Sequence, residues 1–426
     1  MNLESKQMFR FIHTADIHLD SPLKGLEVYE DAPAQEIRGA TRRAFDKLIE
    51  LAIAEEVDFI LIAGDLYDGN WKDYNTGLFF VGRMGRLARK GIKVFIVSGN
   101  HDAASQITKS MPLPDNVVIL SSRQPQTVRL DDLSVAIHGQ SYQKRAVTDN
   151  LASHYPPKDP NYFNIGLLHT ALNGREGHEP YAPCSVDDLV SKGYDYWALG
   201  HVHQREVVCQ DPFIIFTGNI QGRHIRETGI KGATLVAVED GRVTEVEHRQ
   251  LDVLRWAVCL VDLATCETID QVYEVVHQAF GQELDLAAGN TLAVRLVLTG
   301  KCAVHSHLLE NTARCTEEFR GIAAGLGNAW LEKVKFQTSR KVDLREVIGE
   351  DTPMVGLLQS VQNLALDGDS LAELVPELAK LRSKLPGEIY DGSEPFLETS
   401  SSYIEELCVD VQELLIAKLL QHGGDK

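Results

Sequence analysis

Five apolar runs in the first half of the chain each hand over to residues of the kind that bind metal ions. Asp16 and His18 come after residues 9–12, Asp65 after 59–64, Asn100 with His101 beside it after 94–99, His169 after 165–168, and His201 with His203 after 196–200. A short apolar run ending in a polar turn reads as a buried strand. Five strands therefore bring their polar ends to one rim. A hydrolytic centre built on two metal ions needs about seven oxygen and nitrogen donors, one of them shared. Asp16, His18, Asp65, Asn100, His169, His201 and His203 supply such a set.

At 426 residues the chain has room for two or three domains. Residues 8–250 alternate strands and helices. A helical stripe (Phe45, Leu48, Ile49, Ala52) lies in 40–54, a second helix is expected over 78–90, and short strands follow from 117 onward. Asp240-Gly241 marks a hairpin. Residues 251–340 read as a small β-α-β-α-β unit: strands at 256–261, 291–298 and 330–336, a stripe through Ile269, Val272, Val276 and Phe280, and a helix over 308–322. Residues 341–426 read as mostly helical, with a linker at 382–402. Ser402 and Glu405 form a capping box ahead of an apolar face made by Ile404, Leu407, Val411, Leu414, Leu415 and Leu419.

In this order, D-x-H (Asp16, His18), G-D-x-x-D (Gly64, Asp65, Asp68), G-N-H-D (residues 99–102), the lone His169 and G-H-x-H (residues 200–203) resemble the calcineurin-like metallophosphoesterases. The opening at 13–20 and the block at 218–223 narrow the resemblance to the SbcD-type nuclease branch, and within it to YhaO-type bacterial DNA repair exonucleases. The motifs cover roughly the first 220 residues. The resemblance implies an α/β fold: a four-layer αββα sandwich over 8–250, a small α/β capping domain over 251–340, and a helical C-terminal region over 341–426 that binds a partner.

Roles carry over residue by residue. The resemblance makes Asp16, His18, Asp65 and His203 ligands of a first metal, and Asp65, Asn100, His169 and His201 ligands of a second, with Asp65 bridging. Carboxylate, amide and imidazole donors together suit Mn²⁺, with Mg²⁺, Fe and Zn²⁺ as alternatives. Two such ions neutralise a phosphate and stabilise its in-line displacement. His101 is expected to approach the scissile phosphate and help protonate the leaving oxygen; the rival reading makes it structural. Asp102, next in sequence, could orient His101 or raise its pKa. Asp68 stands where archaeal and eukaryotic relatives carry a histidine. It could orient His101, touch a metal-bound water, or cap the following segment. Arg223 and His224 are candidate phosphate contacts after a strand, against the plainer reading of a solvated loop. Arg42, Arg43, Arg83, Arg86, Arg89 and Lys90 read as solvated helix faces before they read as a nucleic-acid track. His138 and His178 read as non-ligands.

The leading reading is a metal-dependent DNA nuclease subunit, exonuclease in type, acting in DNA repair. The alternatives are a small-nucleotide phosphodiesterase or phosphatase and a non-catalytic scaffold. More than 170 residues beyond the core favour a large substrate or a partner. A net charge of −19 argues mildly against an autonomous nucleic-acid binder, which usually leaves a basic footprint, although a small basic channel can sit on an acidic protein; DNA affinity is expected to come partly from a partner. The resemblance names it as an SMC-like, SbcC-type ATPase held by helices after the capping domain. Packing on the chain's own second domain and a homodimer contact are the alternatives for that apolar face. Seven unpatterned cysteines suggest free thiols in a reducing cytoplasm. No apolar stretch approaches about 18 residues, so no membrane span is expected.

Overall fold

The computed structural model describes residues 8–21, 39–68, 74–104, 112–173 and 181–341, with Val411 and Leu415 beyond them. They divide into two compact units, the first running to Arg255 and the second from Trp256, with 224–228 grouped in the second.

In chain order the strands of the first unit are β1 (Met8–Thr14), β2 (Phe59–Ala63), β3 (Lys93–Val97), β4 (Val117–Ile119), β5 (Gln126–Leu130), β6 (Val135–Gly139), β7 (Phe163–His169), β8 (Tyr196–Gly200), β9 (Glu206–Gln210), β10 (Phe213–Phe216), β11 (Gly232–Glu239) and β12 (Arg242–Gln250). They form two six-stranded sheets, ordered β12-β11-β1-β2-β3-β4 and β5-β6-β7-β8-β10-β9. β1 to β4 run parallel, as do β6, β7, β8 and β10. Parallel strands covered on both faces read as unbroken apolar runs. β2, sequence FILIA, is buried at every position.

Between the sheets lies an aromatic layer. Phe11 stacks on Phe59 with ring centroids 5.1 Å apart and meets Tyr196 of the opposite sheet edge-on at 5.2 Å. His13 crosses the same interface, its ring nitrogens 3.1 Å from the Tyr196 hydroxyl and 3.1 Å from the Leu199 carbonyl. Helices α1 (Ala40–Ala54) and α2 (Tyr74–Ala88) cover the outer face of the first sheet. The α1 stripe Ala44, Phe45, Leu48, Ile49 and Ala52 is buried there, with the i, i+3, i+4 spacing of a helix that packs by one face. On their outer sides Arg83 pairs with Asp46 at 2.8 Å and Arg42 grips Asp20, so these arginines serve local ion pairs. The outer face of the second sheet is covered more thinly, by α3 (Asn100–Ala104) and α4 (Val186–Val190) and by irregular segments packed around Trp197, Tyr194 and Tyr155.

The second unit is a three-stranded sheet, β13 (Leu254–Asp262), β14 (Thr291–Cys302) and β15 (Ala329–Arg340), ordered β13-β14-β15. Its helix α5 (Ile269–Leu286) opens with a capping box of Thr268 and Gln271 and buries Val272, Val276 and Phe280. The single helix expected over 308–322 is two, α6 (His305–Glu310) and α7 (Thr312–Gly325). Asn311 breaks it, with φ −118° and ψ 29°, as its side-chain amide donates to the His307 carbonyl at 2.9 Å. That local bond competes with helix continuation. Of the C-terminal region, Val411 and Leu415 are helical and 41% and 39% exposed. The linker and the remainder of that helical reading lie outside the described residues, as does His178. Six cysteines among the described residues are free thiols, five of them buried.

Candidate metal centre

The turns after β1, β2, β3, β7 and β8 converge, three from one sheet and two from the other. The turn 16–19 is laced to the turn 64–66 by backbone bonds: Asp16 N–H to the Gly64 carbonyl at 3.0 Å, His18 to Asp65 at 3.0 Å, and Leu19 to Leu66 at 2.9 Å. This lacing solves the problem of aiming two residues of one strand end at one point. Asp16, His18 and Asp65 take φ values of 50°, 45° and 53°, and His201 takes 100°. Positive φ in residues other than glycine costs on the order of 1–3 kcal/mol each and clusters where function requires it. Gly64 (φ 93°) and Gly99 are required for packing: a Cβ on Gly64 would strike the His169 ring, and one on Gly99 would strike the Asp65 carboxylate.

The side chains gather into three groups: Asp16 with His18 and His203, Asp65 with His169 and His201, and His18 with Asp68 and His101. Asp65 Oδ2 lies between the first two, 3.9 Å from His18 Nε2 and 3.4 Å from His169 Nε2. Asn100 Oδ1 is 3.0 Å from His169 Nε2. All seven predicted donor residues are thus brought to one place, six of them buried and His203 half-buried. His18 Nε2 and His203 Nε2 face each other at 3.3 Å. Two imidazole nitrogens this close need a proton or a cation between them. His169 Nδ1 sits 2.9 Å from the Ala63 carbonyl, a contact that fixes the tautomer with Nε2 free to ligate. Burial and then the Arg223 charge hold the His18 pKa well below its usual range, keeping it in the neutral, ligating form. Burial would lower His169 too, but the Asp65 carboxylate outweighs it and the pKa is pushed up to about 9. A proton there stands where a cation would, so the residues fit a pair of divalent ions.

His101 and Asp68 stand beside this centre. His101 Nδ1 is 2.6 Å from Asp68 Oδ1, and the His101 ring meets His18 edge-on at 4.9 Å. Burial opposes the charge on His101, but the bond to Asp68 prevails and its pKa is raised. Burial likewise opposes the Asp68 charge, and the His101 partnership holds its pKa far below the ordinary carboxylate value. Of the roles open to Asp68, the geometry is that of a residue orienting His101. Asp102 takes a different place from the one expected. Its carboxylate accepts the backbone N–H groups of Leu66 at 3.2 Å, Tyr67 at 2.9 Å and Gly99 at 3.1 Å. On α3 its side chain leaves in another direction from that of His101, so it clamps the turn after β2 to the turn after β3. Burial, then the neighbouring Asp65, pushes its pKa up to about 6.

Arg223 lies at the first group of donors, Nη2 3.5 Å from His203 Nδ1 and Nη1 3.4 Å from Ser21 Oγ. Ser21 in turn donates to Asp68. The sequence pattern marks neither Ser21 nor Tyr142, whose hydroxyl donates to the His169 carbonyl at 2.9 Å. His224 belongs to the segment grouped with the second unit, where its Nε2 is 3.5 Å from Glu227. His138 is held by Thr127 at 2.8 Å and Asn164 at 3.1 Å, away from the centre.

Known proteins resemble this sequence. The calcineurin-like phosphoesterase family profile matches residues 9–205, and that of the middle domain of metallophosphoesterase YhaO matches 256–339. The uncharacterised metallophosphoesterase YhaO of Bacillus subtilis is 38% identical over 313 residues, covering 72% of this chain and 76% of that protein. The DNA double-strand break repair protein Mre11 of Sulfurisphaera tokodaii is 28% identical over 259 residues, 57% of this chain and 63% of that protein. Among solved structures, a dimetal phosphatase from Danio rerio aligns with a TM-score of 0.33 and 11% identity over 57% of this chain and 99% of its own. No helix among the described residues is long and apolar enough to cross a membrane. With a two-sheet α/β fold, the donor groups at its rim and the family and YhaO matches, the chain belongs to the calcineurin-like metallophosphoesterases, a family of phosphoester hydrolases with dinuclear metal sites, and is related within it to YhaO.

Proposed function

We propose that the protein is a metal-dependent DNA nuclease, exonuclease in type, that hydrolyses phosphodiester bonds in DNA repair in the cytoplasm. One observation carries the reading: six donor residues fall into two groups with the Asp65 carboxylate between them, Asn100 beside His169, and a His101–Asp68 pair alongside. A pair of divalent ions, Mn²⁺ by the mixture of donors, would be held by these residues and would supply charge neutralisation at a phosphate. The remaining work belongs to side chains. Asp68 fixes the His101 ring through Nδ1, which leaves Nε2–H as the donor for a leaving oxygen. Arg223, beside His203 and Ser21, would hold a second phosphate oxygen. The Mre11 match supports a nucleic acid as substrate. The test is hydrolysis of end-labelled single- and double-stranded DNA beside bis(p-nitrophenyl) phosphate, with Mn²⁺ and with chelator. Asp65→Ala should abolish both activities and lower bound metal below one equivalent; full metal occupancy in that variant refutes the assignment.

We further propose that the helical face containing Val411 and Leu415, both exposed, docks an SMC-like ATPase. Val411→Glu should leave metal content and diester hydrolysis intact and abolish capture of the ATPase. Unchanged capture refutes this docking.

A further inference from the structure

The Asp68 carboxylate has two oxygens, and each has its own partner. Oδ1 meets His101 Nδ1 at 2.6 Å. Oδ2 accepts the hydroxyl of Ser21. Arg223 Nη1 donates to that hydroxyl oxygen at 3.4 Å and stands 3.9 Å from Asp68 Oδ2. Ser21 thus accepts from a guanidinium and gives its one proton to a carboxylate. Hydrogen bonds with an ionised partner are shorter and stronger than those between neutral groups, so both contacts hold the serine firmly.

The backbone puts Ser21 in that place. Leu19 bridges Tyr67 in parallel, so the residues just beyond them, Ser21 and Asp68, run on side by side. Ser21 N–H donates to the His18 carbonyl at 3.0 Å and closes the turn. Asp20, with φ 57°, anchors it from the other side. Its N–H donates to the Thr41 hydroxyl at 3.3 Å, and its carboxylate accepts Arg42 Nε at 2.7 Å and the Thr76 hydroxyl at 2.5 Å. Thr41 and Arg42 lie at the start of α1, and Thr76 at the start of α2. Asp20 therefore ties the turn to two helices while Ser21, its neighbour, reaches the reacting groups.

A carboxylate held by one oxygen turns about its Cβ–Cγ bond and carries its partner with it. Held by both oxygens, it keeps one orientation, and the His101 ring bonded to it keeps Nε2 aimed in one direction. We infer that Ser21 is a positioning residue for the proton donor: through Asp68 it sets the aim of His101 Nε2–H at the leaving oxygen. The inference rests on the reading of His101 as the acid and deepens it. In that step water supplies the new P–O bond and the P–O bond to the leaving group breaks. The leaving oxygen keeps the bonding pair and takes the Nε2 proton, and the proton shed by the water passes through solvent to restore His101. A p-nitrophenolate departs without that proton; the more basic phenolate needs it, and a sugar alkoxide needs it most. Loss of Ser21 should therefore be felt in kcat in proportion to the basicity of the leaving group. Any loosening of Arg223 should instead raise KM alike for every ester.

The experiment compares the full-length protein with Ser21→Ala, Ser21→Thr and His101→Gln. Each is assayed with Mn²⁺ on aryl esters of thymidine monophosphate whose leaving groups are p-nitrophenol, p-chlorophenol and phenol, and on an end-labelled single-stranded oligonucleotide. Bound metal and Tm are measured alongside. Ser21 is half-buried, so neither replacement empties a core. Ser21→Ala should lower kcat about tenfold on the phenyl ester and less than about threefold on the p-nitrophenyl ester, a part of the roughly 10²–10⁴-fold contributed by a positioned acid. Both metal ions should remain bound. Ser21→Thr keeps the hydroxyl and should restore the wild-type dependence on leaving group. His101→Gln should show the same trend as Ser21→Ala, more steeply. Equal losses on all three esters in Ser21→Ala, or metal lost in step with activity, would make Ser21 structural and overturn the inference, as would wild-type kcat on the phenyl ester. If His101→Gln itself loses equally on all three, the acid reading of His101 fails and the inference falls with it. If the wild-type protein cleaves the aryl esters but no oligonucleotide, the nuclease reading alone fails, and the ester series still decides the role of Ser21.

Discussion

Replacing Asp102 by asparagine separates a clamp from a catalytic group. Oδ2 of Asp102 serves the N–H groups of Leu66 and Gly99, while Oδ1 serves that of Tyr67. An asparagine has one oxygen to place. Set toward Leu66 and Gly99, it sacrifices only the Tyr67 bond; set the other way, it loses two. The protein will adopt the first arrangement. A hydrogen bond to a charged acceptor contributes about 1.5–3 kcal/mol, and the burial that pushes Asp102 up to about 6 offsets part of its contribution. The net loss is therefore about 1–2 kcal/mol. For a unit of this size, each kcal/mol lowers Tm by about 2–4 °C, so Asp102→Asn should melt about 2–8 °C earlier. Calorimetry on chelated and Mn²⁺-loaded protein measures this, alongside turnover of bis(p-nitrophenyl) phosphate at about 20 °C. The clamp predicts this fall in Tm, and weaker metal retention because the turns bearing Asp65 and Asn100 come apart. A Tm unchanged within about 1 °C, with turnover down more than about a hundredfold, would show that Asp102 acts on the chemistry and that this reasoning is wrong.

His101→Gln should retain both metal ions and cut turnover by about 10²–10⁴-fold, the usual contribution of a positioned acid or base; parallel loss of metal and activity in elemental analysis would make His101 structural instead. His13 gives a pH dependence. Burial, only partly opposed by the Leu199 carbonyl, pushes its pKa down to about 3, so the folded protein holds it neutral while the unfolded chain takes up a proton below about pH 6.5. Its contribution is complete above that pH and falls away on acidification at about 1.4 kcal/mol per pH unit, or about 2 kcal/mol between about pH 6.5 and 5. Urea midpoints across that range should fall less steeply in His13→Gln; equal slopes would exclude His13 as a source.

The strands that carry the centre were legible because burial on both faces leaves only apolar residues, and each donor breaks such a run at its end. β2 and β8, buried throughout, are the clearest cases. Distance along the chain misled at Asp102. Adjacency suggested a partner for His101, but successive residues on a helix diverge by about 100°, and the residue bonded to His101 is the other candidate for that role, Asp68, from another turn. The left-handed backbone at Asp16, His18, Asp65 and His201 was hidden because none is glycine; tertiary bonds such as Asp16 N–H to Gly64 impose it. Asn311 could have been read as a helix breaker, and Ser21 could not have been read at all, since a lone serine carries no periodicity. β9 was missed because its half-exposed sequence EVVCQ lacks an unbroken apolar run.

The donors come from two sheets: Asp16, His18, Asp65 and Asn100 from the ends of one, and His169, His201 and His203 from the ends of the other. Occupancy of the centre therefore reports the alignment of two independently hydrogen-bonded layers. Between them lies a wall of phenylalanines, none of them a donor, among them Phe9, Phe11 and Phe59. Trimming one of these rings lets the layers slide or tilt, and the seven donor positions then lose their common focus without one of them being altered. Ion affinity in this protein is in that sense a property of its deepest apolar contacts, and genetic variation in the aromatic layer should surface as a demand for more metal well before it surfaces as misfolding.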